Sequence, residues 1–218
     1  MEGDDLRMLD EIKICNIYKP GQVVFYQGNP CLGLYCIESG TIAIRKQDAE
    51  GESALVRLCH DGQTLGYRTF FAGGTYSASA EALTEARICF IDKAGVNRIL
   101  EHNPAVGLAF LQHIARDLGE SEELRLQAVT LPVRTRLANL LLALKDVFST
   151  VDDDGNIVIE LPMSRQDIAD MVGARPETIA RTIRSLQDDG VATFKGREVM
   201  VRDLDALLDE LEPTMGDA

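Results

Sequence analysis

In the first half of the chain, apolar positions come in short runs cut by glycine. From Tyr18 to about Asp92 the runs "GQVVFYQG", "GLYCIESG", "TIAIRKQD", "SALVRLCHDG" and "YSASAEALTEARICFID" have the length and punctuation of strands. The polar stretch "DAEGES", Asp48 to Ser53, has the composition of a turn that closes a hairpin between "TIAIRK" and "SALVRL". This half reads as an all-β domain, an antiparallel barrel or sandwich.

After Asp92 the apolar period lengthens to that of helices. "KAGVNRILEHNP" reads as a short helix stopped at Asn103-Pro104, and a long helical segment then continues to about Thr130 without another proline. Along it Leu111, Ile114 and Leu118 recur at spacings of three and four, an apolar seam that needs a partner. Periodicity leaves two partners open, the β-domain or a second copy of the chain; Ser121 and Arg125 on heptad positions argue against a long coiled coil. "LPVRTRLANLLLALKDVF" follows as a helix with Pro132 near its first turn, and "STVDDDGNIVIELP" as a hairpin. At the C-terminus "DLDALLDELEP" sets Leu204, Leu207, Leu208 and Leu211 against acids, a small packing helix.

The segment "MSRQDIADMVGARPETIARTIRSLQDDGVATFKGREVMVRD" has the grammar of helix, tight turn, helix and hairpin. Ser164 and Asp167 stand in capping-box spacing, Gly173 permits the left-handed residue that ends a helix, and Pro176 suits the first position of the next. In the second helix Ile179, Ile183 and Leu186 share one face while Glu177, Arg181, Arg184 and Asp188 share the other. A helix of this kind, placed in the major groove, can read guanine through an arginine and cytosine through a carboxylate, and Glu177 and Arg181 lie one turn apart. Lys195-Gly196 then forms the tip of a hairpin wing whose Lys195 and Arg197 can reach phosphates.

Composition at first speaks against a polyanion as partner. The chain of 218 residues has a formal net charge of -13 and a pI near 4.6. Self-repulsion of that size opposes contact with phosphates. The excess acid lies elsewhere, however: Ser164 to Arg202 carries seven Lys or Arg against six acids. No apolar run approaches the roughly 20 residues of a membrane span, and the N-terminus opens on acids rather than on a signal segment, so a cytoplasmic protein is expected. The five cysteines, at 15, 31, 36, 59 and 89, are odd in number and scattered, which disfavours a disulfide framework. Cys31 and Cys36, as C-x4-C, are the candidate redox pair, and most cysteines are expected to be buried in strands. No metal-ligand cluster, glycine-rich phosphate loop or nucleophile–base pair is visible, so no catalytic residue and no metal site is expected.

The order of parts resembles the catabolite-activator/fumarate-nitrate-reduction (CRP/FNR) family of bacterial transcription regulators. "PGQVVFYQGNPCLGLYCIESGTIAI", the long helix and "SRQDIADMVGARPETIARTIRSLQDDGVATFKGREVMV" carry the resemblance, which runs from about Tyr18 to Arg202. It implies an α+β fold: a cyclic-nucleotide-binding-type β-roll at 1–103, a dimerisation helix at 104–130 and a winged helix-turn-helix at 131–218. It also implies a homodimer with Leu111, Ile114 and Leu118 in its seam, a palindromic double-stranded DNA site, and RNA polymerase as a further partner. By the same resemblance Glu177 and Arg181 are base readers, Arg165 contacts phosphate, and Ala180 tunes the half-site beside them; from the helix pattern itself, Arg184 is expected as a phosphate or rim contact, and Arg175 is a helix-start candidate without an assigned role.

The effector region departs from the family members that bind cyclic AMP. In "LGYRTFFAGGTYSASAEAL" Tyr67 follows Gly66 where a ribose-binding glutamate is expected, and Tyr76 precedes Ser77 where the phosphate-binding arginine is expected. Without that arginine a buried cyclic phosphate lacks its charge-assisted partner, and Arg68 is the only nearby substitute. The tight N-terminal cysteine group of the iron–sulfur branch is also missing, and nothing marks His60, His102 or His113 for haem. The expected function is a dimeric DNA-binding regulator whose signal is not cyclic AMP and whose cofactor is unknown. The alternative is a redox or small-molecule sensor acting mainly through protein partners.

Overall fold

The computed structural model describes residues 3–211, with side chains from residue 7 onward. The chain forms two compact units, Met1–Glu122 and Glu123–Ala218. The first unit opens with a helix absent from the sequence reading, α1 (Gly3–Ile12), followed by β1 (Ile14–Tyr18), β2 (Val23–Phe25), β3 (Gly33–Ser39), β4 (Ile42–Gln47), β5 (Ser53–Cys59) and β6 (Thr64–Leu65). A second helix outside the sequence reading, α2 (Tyr67–Ala72), precedes β7 (Ser79–Ala82), β8 (Ala86–Asp92) and α3 (Lys93–His102). The strands form two antiparallel four-stranded sheets, ordered β1-β8-β3-β6 and β2-β7-β4-β5.

Alternation along β3 and β8 divides the apolar residues between two cores. Ile37 and Ile88 point between the sheets, where they meet Phe25, Ile42, Leu65 and Tyr76. Leu34 and Ile91 point the other way, into a cluster with Tyr67, Val96, Leu9 and Ile12, and with Phe110 and Ile114 of the long helix α4 (Pro104–Thr130). The "DAEGES" turn is closed by Asp48, whose carboxylate accepts from the backbone N–H groups of Glu50 and Glu52. Asn103 separates α3 from α4: its backbone N–H donates to the Ile99 carbonyl, and its side-chain oxygen accepts from Ala105 N–H.

The boundary between the units falls within α4, so the part of the long helix up to Glu122 belongs with the β-rich unit. In the second unit α5 (Val133–Phe148) leads to β9 (Ser149–Val151), β10 (Ile157–Glu160), α6 (Arg165–Val172), α7 (Pro176–Asp188), β11 (Thr193–Lys195), β12 (Glu198–Val201) and α8 (Leu204–Asp209). Its sheet is ordered β11-β12-β10-β9. Leu137 and Leu141 of α5, Ile168 of α6, Ile179 and Leu186 of α7, Ile159, Val199 and Leu207 are fully buried there. Leu211 ends the described chain, so the Pro213 end of the C-terminal stripe lies outside the described residues.

Candidate nucleic-acid interface and its control region

The helix-turn-helix forms as its sequence grammar dictates. The Ser164 hydroxyl accepts from Asp167 N–H while the Asp167 carboxylate accepts from Ser164 N–H at 2.9 Å, a reciprocal cap that starts α6 within one turn. Gly173 ends it at φ 68, where a Cβ would be strained. Arg175 is the extended residue before α7 and Pro176 its first residue. Ile179, Ile183 and Leu186 are buried, which leaves Arg175, Glu177, Ala180, Arg181 and Arg184 exposed together. Arg181 rests on its own helix, with Nη2 3.4 Å from Thr178 Oγ1.

The wing turns at Gly196-Arg197, one residue later than the sequence reading placed its tip, because Lys195 is still paired with Glu198 across the hairpin. Lys195 and Arg197 are both exposed. Arg165, exposed at the start of α6, donates to Gly196 O at 3.3 Å, and its guanidinium lies 5.0 Å from the centre of the Phe194 ring. It therefore ties the first helix to the wing with donors to spare.

Two arginines that sequence reasoning passed over hold this frame. Arg134 makes a two-pronged contact with Glu210, both hydrogen bonds at 2.6 Å, and donates to Ser185 Oγ and Asp189 Oδ2 at the end of α7, each at 2.6 Å. Hydrogen bonding to Glu210 and Asp189 raises its guanidinium further above its ordinary value. Arg136 donates to the Val172 carbonyl at 2.7 Å, at the C-terminal end of α6 where carbonyls lack helical partners. Both lie in "VRTRL", which reads simply as a basic helix start.

The candidate effector residues separate. Gly66, at φ 83, starts α2, and this turn aims Tyr67 inward to the outer cluster. Its hydroxyl donates to Asp117 of α4, which also takes both prongs of Arg57 from β5, at 2.7 and 2.8 Å. Burial pushes the Asp117 carboxyl up, but hydrogen bonds from Arg57 and Tyr67 outweigh it and hold it below its ordinary value. Burial, with the Asp117 contact, pushes the Tyr67 phenol up to about 12. His113, one turn before Asp117, packs on the Tyr67 ring at 5.0 Å. Tyr76 goes to the other core: it stacks on Phe25 at 4.0 Å and its hydroxyl points to Gly33 O at 3.3 Å. Arg68 and Ser77 are exposed. Gly66 stays beside Tyr76, whose ring a Cβ at position 66 would approach to 3.1 Å, but Tyr67, Arg68 and Ser77 turn elsewhere, so the five do not converge on one site.

The long-helix seam is also redistributed. Leu111 and Leu118 are open at 64% and 60% exposure, but Ile114 packs in the outer cluster of the β-rich unit. Leu108, likewise exposed, lies three residues before Leu111.

The cysteines depart most from expectation. Cys31 is buried in the inter-sheet core with Sγ 3.4 Å from Gly33 O, whereas Cys36 faces the outer cluster, 3.9 Å from Thr64 Oγ1. They are not brought together, because they enter opposite faces of the β3 sheet. Cys15 and Cys89 are joined instead as a disulfide, across a sequence separation of 74. The pairing of β1 with β8 places these two directly opposite, which scattered positions in the sequence conceal. Cys15, Cys89 and Glu38 bring three donor atoms within 4.8 Å of one another, but with the two sulfurs bonded together they are not a thiolate set for a metal.

Comparison with known proteins agrees with this architecture. Residues 16–103 match the cyclic nucleotide-binding domain model and residues 135–210 the Crp-like helix-turn-helix domain model. The Transcriptional activator protein FnrL of Cereibacter sphaeroides is 25% identical over 213 residues, 96% of this chain and 85% of that protein. The CRP-like cAMP-activated global transcriptional regulator of Mycobacterium tuberculosis is 26% identical over 187 residues, 86% of this chain and 83% of that protein. The solved structure of FixK2 from Bradyrhizobium japonicum shares the fold with a TM-score of 0.80 at 20% identity, covering 94% of this chain and all of that one. With its β-rich cyclic nucleotide-binding-type unit, long helix and Crp-like helix-turn-helix, the chain belongs to the CRP/FNR family of transcription regulators.

Proposed function

We propose that the protein acts as a homodimer that binds a palindromic DNA site and reads each half-site with α7. The observation that carries this reading is the face of α7: Glu177, Ala180 and Arg181 stand exposed on a helix whose opposite face is locked in the core. Arg181 donates to guanine and Glu177 accepts from cytosine, while Ala180 offers an apolar contact to a thymine methyl. Arg165, Arg175, Arg184, Lys195 and Arg197 surround them as phosphate contacts that set register without reading sequence. The dimer forms along α4 through the open leucines Leu111 and Leu118, with Leu108 in place of Ile114.

Control enters through the β-rich unit. Asp117 fastens α4 to Arg57 and Tyr67, so a change at β5 or α2 bears directly on the helix that carries the dimer face. A signal acts only as far as it favours one arrangement of that joint over another. Cyclic AMP is not that signal: Tyr76 and Phe25 stack where the resemblance places a phosphate-binding arginine, and the nearby Arg68 is exposed. The place of work is the cytoplasm, among nucleic acid and RNA polymerase; no helix among the described residues is long and apolar enough to cross a membrane.

Selection from a randomised duplex pool, run with reduced and with oxidised protein, tests the reading. The expected product is an inverted repeat with its half-sites about one helical turn apart, roughly 10 base pairs. Recovery of unenriched sequence in both states contradicts it.

A further inference from the structure

Three cysteines form a row across the sheet of the β-rich unit. Cys15 pairs with Cys89, and Cys89 pairs on its other side with Cys36, so all three side chains share the face turned to the outer cluster. Cys15 lies on an edge strand, since among the described residues β1 pairs with β8 alone, whereas Cys89 on β8 is buried between β1 and β3. Around the bonded pair the Glu38 carboxylate lies 3.6 Å from Cys89 Sγ and is ion-paired with Arg87, and Lys13 feels the charges of both. A disulfide in a protein that works in the reducing cytoplasm is characteristically transient, a redox sensor rather than a staple. For the compartment alone, the inference rests on the regulator reading above.

We propose that Cys15 and Cys89 are a reversible redox site, oxidised by a small disulfide of the glutathione type, whose state fastens or frees β1 and α1 beside the first turns of α4. The reaction balances with that oxidant. One cysteine thiolate attacks a sulfur of the small disulfide, breaking its S–S bond and releasing one thiol. The second cysteine thiolate then displaces the remaining small thiol to form the Cys15–Cys89 bond. Two electrons pass to the oxidant, and the two cysteine protons end on the two released thiols.

The other thiols stand outside the exchange. Cys31 enters the opposite face of the sheet. Burial raises the Cys36 thiol above its ordinary value and pushes Cys59 up to about 11, so neither supplies a ready thiolate to compete for the bond. The consequence for the long helix runs through packing. Leu9 and Ile12 of α1 share the outer cluster with Phe110 and Ile114 of α4, and a side chain on Gly95 of α3 would come within 3.0 Å of Ile12 Cδ1. Closing the disulfide at Cys15, three residues after the end of α1, holds this end of the helix in that cluster.

The test equilibrates the full chain in glutathione buffers of graded potential, alkylates free thiols and identifies the peptides by mass spectrometry. Cys15 and Cys89 should leave the alkylated pool together as one cross-linked peptide in oxidising buffer and return in reducing buffer, with Cys31→Ser behaving as the unmodified protein. Full alkylation of both at the most oxidising potential overturns the proposal, as does a Cys31–Cys36 cross-link. Zinc or iron retained by the reduced protein through Cys15 and Cys89 would also overturn it. Hydrogen exchange of the same samples reads the fastening: amides of α1 and β1 should exchange roughly tenfold or more slowly in the oxidised form. Equal exchange with the cross-link present overturns that role. Neither readout uses DNA, so failure here is distinct from failure of the DNA-binding reading.

Discussion

At the residue scale, the contact between Arg57, Tyr67 and Asp117 is costly to break, since it places an acid in a site about nine-tenths shielded from water. Replacing Asp117 by Asn should lower the stability of the first unit by ~1.5–3 kcal/mol, read from denaturant midpoints at neutral pH. The pH dependence has a definite sign. The folded Asp117 carboxyl is held below its unfolded value, so its contribution is present above about pH 4 and is lost as pH falls through the lower folded value. Acid titration of Asp117→Asn should show that loss removed; identical acid profiles for the two proteins would contradict the contact. This site was half legible: "GYRTFF" drew attention to Tyr67, but its direction is set by α2, a helix begun by Gly66 without a side-chain cap. The capping box of Ser164 and Asp167 was fully legible, since both partners lie within one turn. Cys15 and Cys89 were not, because only strand register brings them together.

At the element scale, helices with local start and stop signals matched their sequence pattern, and α1 and α2 escaped it. Residues 3–12 form a helix that packs through Leu9 and Ile12 on strands distant in sequence, so tertiary contact supports what local signals do not announce. The same kind of contact brings Ile114, expected in a dimer seam, against the outer cluster of its own chain, because spacing marks an apolar face without saying which partner covers which residue. Charge on the open leucines should separate the two uses. Leu118→Glu should shift the protein from dimer to monomer in sedimentation equilibrium while leaving its circular dichroism spectrum unchanged, since the side chain is exposed within its own chain. An unchanged sedimentation mass would remove α4 from the dimer interface. Arg134 belongs to this scale too, as it clamps the end of α7 to the Glu210 end of α8. Arg134→Met should weaken DNA binding for all sequences alike, with a lower melting temperature of the second unit. A selective loss at one base would instead make Arg134 a reader.

At the scale of the whole molecule, a chain of net charge -13 that binds DNA must concentrate its cations, and the nearly neutral segment from Ser164 to Arg202 does so. Its acid elsewhere opposes non-specific binding, so affinity rests on a small set of side chains and on salt. Lys195→Ala should reduce the slope of log affinity against log salt by about 2 for a dimer, since each chain then neutralises one phosphate fewer, and equally on specific and random duplexes. Base reading by α7 is tested by equilibrium binding of Arg181→Ala to the selected site and to the same site altered at single base pairs. The expected result is a loss of ~1–3 kcal/mol per half-site on the selected site and equal affinity for all bases at one position in each half-site. An equal loss on selected and random DNA, with discrimination intact at every position, would contradict it.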